Sequence, residues 1–334
     1  MRSERVLSTI DAHAGGALLR ILTHGAPRLR GSTMRDRIAD MRANHDDIRR
    51  CLLFEPRGHV DMTGAVLIPA STDEADYGVI FMTTGGYGML SGHGLIALTT
   101  ALIETGVVPI DGPEVRISYE TSVGIVQARA SVDQGRVLAV RFRNVPAFRL
   151  AKALAIEVMG HDITVDVAYG GAWYAVVTAE ALGIELKPSA ARELVQAGIT
   201  VRRAISNALD VVHPTDNGIV GLYGTIITGP TPTEDASTRS ATIYADGALD
   251  RSPCGTGTSA LMSCLAADGE LGVGDSFLNE SLIGSMFTGR IVVPTTVAEL
   301  PAIITEISGR GAITALNQFL FDPTDVYRDG FLLR

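Results

Sequence analysis

Ser91-Gly92-His93-Gly94 and Cys254-Gly255-Thr256-Gly257 are one design used twice. Each opens an apolar run with helical spacing, and the two align without a gap. Ala97 matches Ala260, Leu98 matches Leu261, Leu102 matches Leu265, and Gly106 matches Gly269 where each run ends. At a helix start the first backbone N–H groups lack partners and the helix dipole adds partial positive charge, so such an end holds a carboxylate or phosphate. Glycines at the second and fourth positions let a ligand approach the backbone closely. A hydroxyl heads one copy and a thiol the other, so a ligand shared by both would meet a different acid or base on each side. A thiol in that place is expected to lose its proton readily, its pKa brought from ~8.5 toward roughly 3.5–7.5, which makes Cys254 a candidate general base or nucleophile.

The elements that carry these two starts read as two cycles of strands and helices. Val6–Asp11 and Leu18–Leu22 read as strands around a Gly15-Gly16 turn, and residues 33–50 as one amphipathic helix. Strands are expected within 66–82 on either side of a turn at 71–76, then at 115–119, 123–130 and 137–142, with Gln134-Gly135 turning the last pair. The second cycle has strands at 163–167 and 173–177, a helix over 189–197, strands at 219–228 and 241–244, then the Cys254 helix. Residues 291–293 and 299–314 again read as strands. No low-complexity or Ser/Pro-rich linker marks a boundary.

Composition fits a catalyst more readily than a binder of polyanions. With 334 residues, 46% apolar side chains and 36 glycines, the chain can fill two domain cores but must turn often. A net charge of −9 and 5% aromatic residues disfavour nucleic acid and anionic membrane as partners. No stretch reaches the ~20 apolar residues of a membrane span, and charges interrupt the first seven residues where a signal peptide would be apolar. The cysteines Cys51, Cys254 and Cys264 are odd in number and suit neither a disulfide framework nor a metal site, so a reducing cytoplasm is the simplest location. Cys51 and Cys264 fall at apolar-pattern positions and read as packing.

At these residues the chain resembles the proline racemase family. Gly88-Met89-Leu90-Ser91-Gly92-His93-Gly94 follows its first motif with a leucine inserted and serine in place of cysteine; Asp250-Arg251-Ser252-Pro253-Cys254-Gly255-Thr256-Gly257-Thr258 follows its second in full. Ile10–Gly16 with Arg20, and Glu55-Pro56-Arg57-Gly58-His59-Val60-Asp61-Met62, also agree, and Gly170-Gly171-Ala172-Trp173-Tyr174 agrees more weakly. A Glu-Pro pair usual after the first glycines is Ala17-Leu18 here. The resemblance implies an α/β (α+β) fold like diaminopimelate epimerase: two pseudo-symmetric halves, each a strand barrel around a central helix, with the site in the cleft between them. Residues 1–130 with 297–334 are expected to form one half, and 131–296 the other. It implies no cofactor and no metal, and a small imino acid, hydroxyproline, as partner; a homodimer is compatible with it. Ser91 and Cys254 take the two acid–base places, and Gly92, His93, Asp250, Gly255 and Thr256 the substrate-binding places. Read without the resemblance, His93 would be a cap or surface residue and Asp250 a turn residue.

Ser91 sets the expected reaction. An alkoxide is far harder to form than a thiolate, so two-way racemisation of proline is disfavoured. Dehydration asks for less. In trans-3-hydroxy-L-proline the Cα hydrogen and the hydroxyl share a ring face, so one group can take the proton and then protonate the departing oxygen. Family members lacking one thiol resemble trans-3-hydroxy-L-proline dehydratases, which make Δ1-pyrroline-2-carboxylate. The alternatives are a 4-hydroxyproline 2-epimerase or proline racemase, and a non-catalytic imino-acid-binding protein. Either Cys254 is the base on intrinsic acidity, or Ser91 is, activated by His93 or the helix field.

Overall fold

The chain begins with a hairpin, β1 (Arg5–Ala14) and β2 (Ala17–His24), turned by Gly15 and Gly16 at φ angles of 58° and 83°, which suit a two-residue hairpin turn. The computed structural model describes residues 5–88, 90–158, 160–245 and 247–333. Met89, part of the first motif, lies outside the described residues.

The single helix expected over 33–50 is two, α1 (Met34–Asn44) and α2 (Asp46–Leu53). Thr33 starts α1 with a capping box closed by Asp36. His45, at φ −140° and ψ 21°, ends α1 and begins α2, whose first turn holds Asp46 and Asp47. Carboxylates there favour a new N-terminus over continuation of the old helix. Next come β3 (Thr63–Ile68), β4 (Tyr77–Thr83), β5 (Gly86–Tyr87), α3 (Gly92–Glu104), β6 (Glu114–Thr121), β7 (Gly124–Asp133) and β8 (Arg136–Arg143).

The following stretch holds β9 (Ala147–Val158), β10 (His161–Tyr169), β11 (Trp173–Thr178), α4 (Ala191–Ala208), β12 (Val212–His213), β13 (Asp216–Val220), β14 (Gly224–Gly229), β15 (Thr238–Tyr244) and β16 (Ala248–Leu249). It ends with α5 (Gly255–Ala267), β17 (Ser276–Ser281), β18 (Met286–Val297) and β19 (Leu300–Gly309), before the final strand, β20 (Gly311–Phe321). Three expectations are corrected here. The strand over 219–228 is broken at Gly221, which has φ 76°. The helix over 189–197 runs on to Ala208, because Leu194, Ala197, Val201 and Ile205 continue its buried stripe. The strand region 299–314 is divided at Arg310.

By contacts the chain forms two compact units, 1–142 with 310–334, and 143–309. Cuts at 130/131 and 296/297 would each divide a hairpin. β7 pairs with β8 across the Gln134-Gly135 turn, and β18 with β19 across residues 298–299.

In the first unit eight strands among the described residues run in the order β20-β1-β2-β3-β4-β6-β7-β8. α3 packs on β1, β2, β3, β7 and β20, so the sheet curls round it. In the second unit the order β9-β10-β11-β14-β15-β17-β18-β19 closes on itself, because Ala302 and Ile303 of β19 pair with Phe148 and Ala147 of β9. α5 packs inside against β9, β10, β11, β18 and β19. The two strand orders correspond one for one, parallel pairs included: β2–β3 and β4–β6 answer β11–β14 and β15–β17.

Both central helices lack Asp, Glu, Lys and Arg along their buried length, which suits a helix that is wrapped on every side. Every residue of α3 from Gly92 to Ile103 is buried, as is every residue of α5 from Gly255 to Cys264. Each is followed by a glycine at φ 76°, Gly106 and Gly269, the left-handed stop that glycine supplies without strain. Outside the first sheet α1 and α2 cover a second core of Leu22, Met41, Ile48, Leu52 and Val66, which also takes in Cys51. No helix among the described residues is long and apolar enough to cross a membrane.

Candidate active site

Each unit presents its helix start in the same way: a strand, a tight two-residue return strand (β5 or β16), then the cap residue. Ser91 caps α3, its Oγ accepting the Gly94 N–H at 3.1 Å; Cys254 caps α5, its Sγ accepting the Gly257 N–H at 3.3 Å. The fourth-position glycines do more than admit a ligand. A Cβ on Gly94 would lie 2.7 Å from Ser91 Oγ, and one on Gly257 would lie 3.0 Å from Cys254 Sγ, so glycine is what lets the cap side chain lie over the helix end. With the third N–H taken by the cap, helix geometry supplies no acceptor for the N–H groups of Gly92, Gly255 and Thr256, which precede it.

Around Ser91 the hydrogen bonds form a directed chain. Thr63 Oγ1 donates to the Leu18 carbonyl, which can only accept, so the same hydroxyl oxygen is left to accept from His93 Nε2 at 3.2 Å. A neutral ring with its proton on Nε2 has a bare Nδ1, and that nitrogen lies 3.4 Å from Ser91 Oγ. The tautomer is assigned from these partners, and it makes Ser91 O–H the donor and His93 the acceptor. Sequence spacing supplied His93 two positions on from Ser91 but gave no sign that β3 would bring Thr63 to the other side of the ring. Thr63 directly follows Asp61-Met62, where the recognised motif stops.

Cys254 is held differently. Its φ of 64° is a left-handed backbone for a residue with a side chain, and a local frame fixes it. Asp250 Oδ1 accepts from both the N–H and the hydroxyl of Ser252 at 2.8 Å, and Ser252 Oγ in turn accepts the Cys254 N–H at 3.1 Å. Tyr174 OH lies 2.7 Å from Thr256 Oγ1 and 3.5 Å from Cys254 Sγ. Thr256 Oγ1 is 3.7 Å from the sulfur. The easily ionised thiol expected from the helix start is not what the site builds. Burial pushes the thiol up to about 12, the Asp250 carboxylate adds to that, and the hydrogen bonds from Tyr174, Thr256 and Gly257 offset only part of it. The thiol therefore keeps its proton at neutral pH. Tyr174, in the weakly matching Gly170–Tyr174 segment, is itself buried and held neutral.

The structure thus brings Ser91, Gly92 and His93 together at one helix start, and Asp250, Cys254, Gly255 and Thr256 at the other. Arg20, near the first motif match, is not part of either. It is buried against Asp11, with Nη2–Oδ2 at 2.7 Å, and donates to the Leu52 and Arg57 carbonyls, pinning the end of α2 to the first hairpin. Cys264 is buried in α5, and burial raises its pKa to about 12; Cys51 is buried as well, its pKa raised by the same cause. Among the described residues no group of three or more His, Cys, Asp or Glu side chains could hold a metal ion.

Comparison with known proteins agrees with the motifs over the full length. The family described as Proline racemase matches residues 9–332. A 4-hydroxyproline 2-epimerase of Streptosporangium roseum is 39% identical, with all of both chains covered. A trans-3-hydroxy-L-proline dehydratase of Bacillus cereus is 37% identical, again with both chains covered in full. The crystal structure of a hydroxyproline epimerase from Agrobacterium vitis with bound trans-4-hydroxy-L-proline superposes with a TM-score of 0.92 at 35% identity, covering 100% of this chain and 96% of that one. The fold is that of these epimerases, and the relatives are enzymes of small imino acids. The family match over residues 9–332, together with two wrapped helices headed by Ser91 and Cys254 in the family's motif positions, places the chain in the proline racemase family.

Proposed function

We propose that the chain dehydrates trans-3-hydroxy-L-proline to Δ1-pyrroline-2-carboxylate, with Ser91 and Cys254 as acid–base groups and Gly92, His93, Asp250, Gly255 and Thr256 as substrate contacts. The observation that carries this is the hydrogen-bond chain that turns His93 into a base toward Ser91. It supplies the activation that serine chemistry needs. Ser91 takes the Cα proton as its own proton passes to His93 Nδ1. The electron pair left on Cα forms the Cα–C3 double bond as the C3–O bond breaks. Ser91 protonates the departing oxygen, His93 returns its proton to Ser91, and one water leaves. The enamine then tautomerises to the cyclic imine. Backbone N–H groups of the helix starts stabilise the carboxylate as charge builds on it, and Asp250 offers a counter-charge to the ring nitrogen.

A second reading, 2-epimerisation of 4-hydroxyproline, draws on the protonated Cys254 thiol. A hydroxyl on C4 is not β to the carbanion and cannot leave, so the carbanion waits for a proton, and a neutral thiol can give one. The names of the Streptosporangium and Agrobacterium relatives support this branch.

Incubation of the purified protein in D2O with all 3- and 4-hydroxyproline isomers separates the two. Dehydration yields an imine that o-aminobenzaldehyde detects from the trans-3-hydroxy-L isomer. Epimerisation yields Cα-deuterated epimer from a 4-hydroxy isomer. Ser91→Ala should lower the dehydration by at least about 100-fold, while Cys254→Ser should lower epimerisation far more than dehydration. Exchange without imine would replace the first reading by the second. Neither product would leave a binding protein.

A further inference from the structure

We infer that Thr63 is a positioning residue for the reaction, acting through His93 by fixing which ring nitrogen carries the proton. The inference rests on the Ser91–His93 route proposed above and adds the group that makes it directional. A neutral imidazole can carry its proton on either nitrogen, and only one arrangement leaves a base facing Ser91. In the other, Nδ1–H would point at a hydroxyl already engaged with the Gly94 N–H, and His93 could accept nothing from Ser91.

Thr63 removes that ambiguity because its own hydroxyl is spoken for. Its hydrogen goes to the Leu18 carbonyl, an acceptor fixed in β2 beside the first hairpin turn. The oxygen can then only receive, so the ring must present Nε2–H to it. Thr63 opens β3, and the parallel pairing of β2 with β3 begins at the next residue, with Arg20 opposite Gly64. Thr63 is therefore set beside Leu18 by sheet register, not by a flexible loop. Thr63 and His93 are both largely buried, so the bond is shielded from competing water. When His93 takes the Ser91 proton and becomes charged, the same Nε2–H to Thr63 bond becomes charge-assisted and stabilises the cation.

The Cys254 start has no such relay. The residue two positions after the cap is Thr256, which cannot take a proton at neutral pH, and its partner is Tyr174. The repeated motif has thus been wired for acceptance on one side and donation on the other, and Thr63 is the residue that sets the accepting side.

Thr63→Val removes the hydroxyl while keeping the shape, and Thr63→Ser keeps the hydroxyl. Nitrogen-15 NMR of ring-labelled histidine, with His93 assigned by the signal missing in His93→Asn, reads the tautomer in the full-length protein without any substrate. The wild type and Thr63→Ser should carry the proton on Nε2, and Thr63→Val should show Nδ1–H. In turnover, Thr63→Val should lose about 10- to 100-fold in kcat with KM changed less than about threefold, and Thr63→Ser should recover most of the loss. A wild-type ring protonated on Nδ1, or a Thr63→Val ring still protonated on Nε2 with normal kcat, overturns the proposal. A tautomer that shifts while kcat stays the same overturns the role of Thr63 in the reaction. Loss of activity in Ser91→Ala distinguishes that outcome from failure of the serine route itself. If Thr63→Val does not fold, Thr63→Ala carries the same two readouts.

Discussion

Cys254 caps a helix, the setting that ordinarily makes a thiol acidic, yet the protein keeps it protonated. The helix end supplies one N–H to the sulfur, whereas burial removes the water that would solvate a thiolate, and Asp250 places a negative charge nearby. Desolvation outweighs the hydrogen bond from the helix end because Cys254 is buried. Alkylation by iodoacetamide, followed by peptide mapping to separate Cys254 from Cys51 and Cys264, reads this directly. The Cys254 rate should be low at pH 7 and climb about tenfold per pH unit through pH 10 without levelling. A plateau below pH 8 would show an acidic thiol and return the base role to Cys254.

The elements explain how such small motifs are held still. Gly170, between β10 and β11, faces α5 so closely that a Cβ would sit 2.3 Å from the Thr256 carbonyl oxygen and 2.5 Å from the Ala260 nitrogen. Both atoms belong to helix backbone and cannot swing aside. Gly170→Ala should therefore push the start of α5 away from its strand, costing about 1–3 kcal/mol or more in a urea unfolding curve. The same substitution at Gly112, which has open space around it, should change the midpoint little. An unchanged midpoint at Gly170 would mean that the helix start is not seated against that turn. Element by element, periodicity located the helices and most strands, but β9 escaped it. Its Ala-Lys-Ala-Leu-Ala-Ile-Glu stretch has weak strand propensity, and pairing with β10 along its length overrides that, while β19 pairs with the start of the strand. β17 escaped for a related reason: Asn279, Glu280 and Ser281 are polar but buried. Asn279 bonds to Thr258 and Pro253, and Glu280 to Arg239 and Thr231.

For the whole molecule, the buried neutral acids set the alkaline limit of stability. Cys254 and Cys264 are pushed up to about 12 from 9.0, and Cys51, Tyr119, Tyr169, Tyr174 and Tyr223 are also raised, in every case chiefly by burial. Each of these groups ionises more easily in the unfolded chain than in the folded one. Their contribution is therefore fully present below about pH 9, where both states are protonated, and is lost as pH rises toward the folded values. Urea midpoints should be flat from pH 7 to 8.5 and then fall steeply between about pH 9 and 12. A midpoint that holds through pH 11 would contradict the burial of these groups.

The sequence by itself determined the two helix starts, the serine and thiol at their heads, and the repeat that relates them. These are local facts, carried by spacing, caps and glycines, and a chain cannot hide them. It did not determine what Ser91 and Cys254 would be made to do. That depended on Thr63 arriving by strand register on the far side of His93, and on Tyr174 reaching the sulfur of a buried Cys254 whose backbone N–H is held by Ser252 and, through it, Asp250. Tautomer and thiol acidity are properties of surroundings assembled from distant parts of the chain, so only the folded structure could decide them.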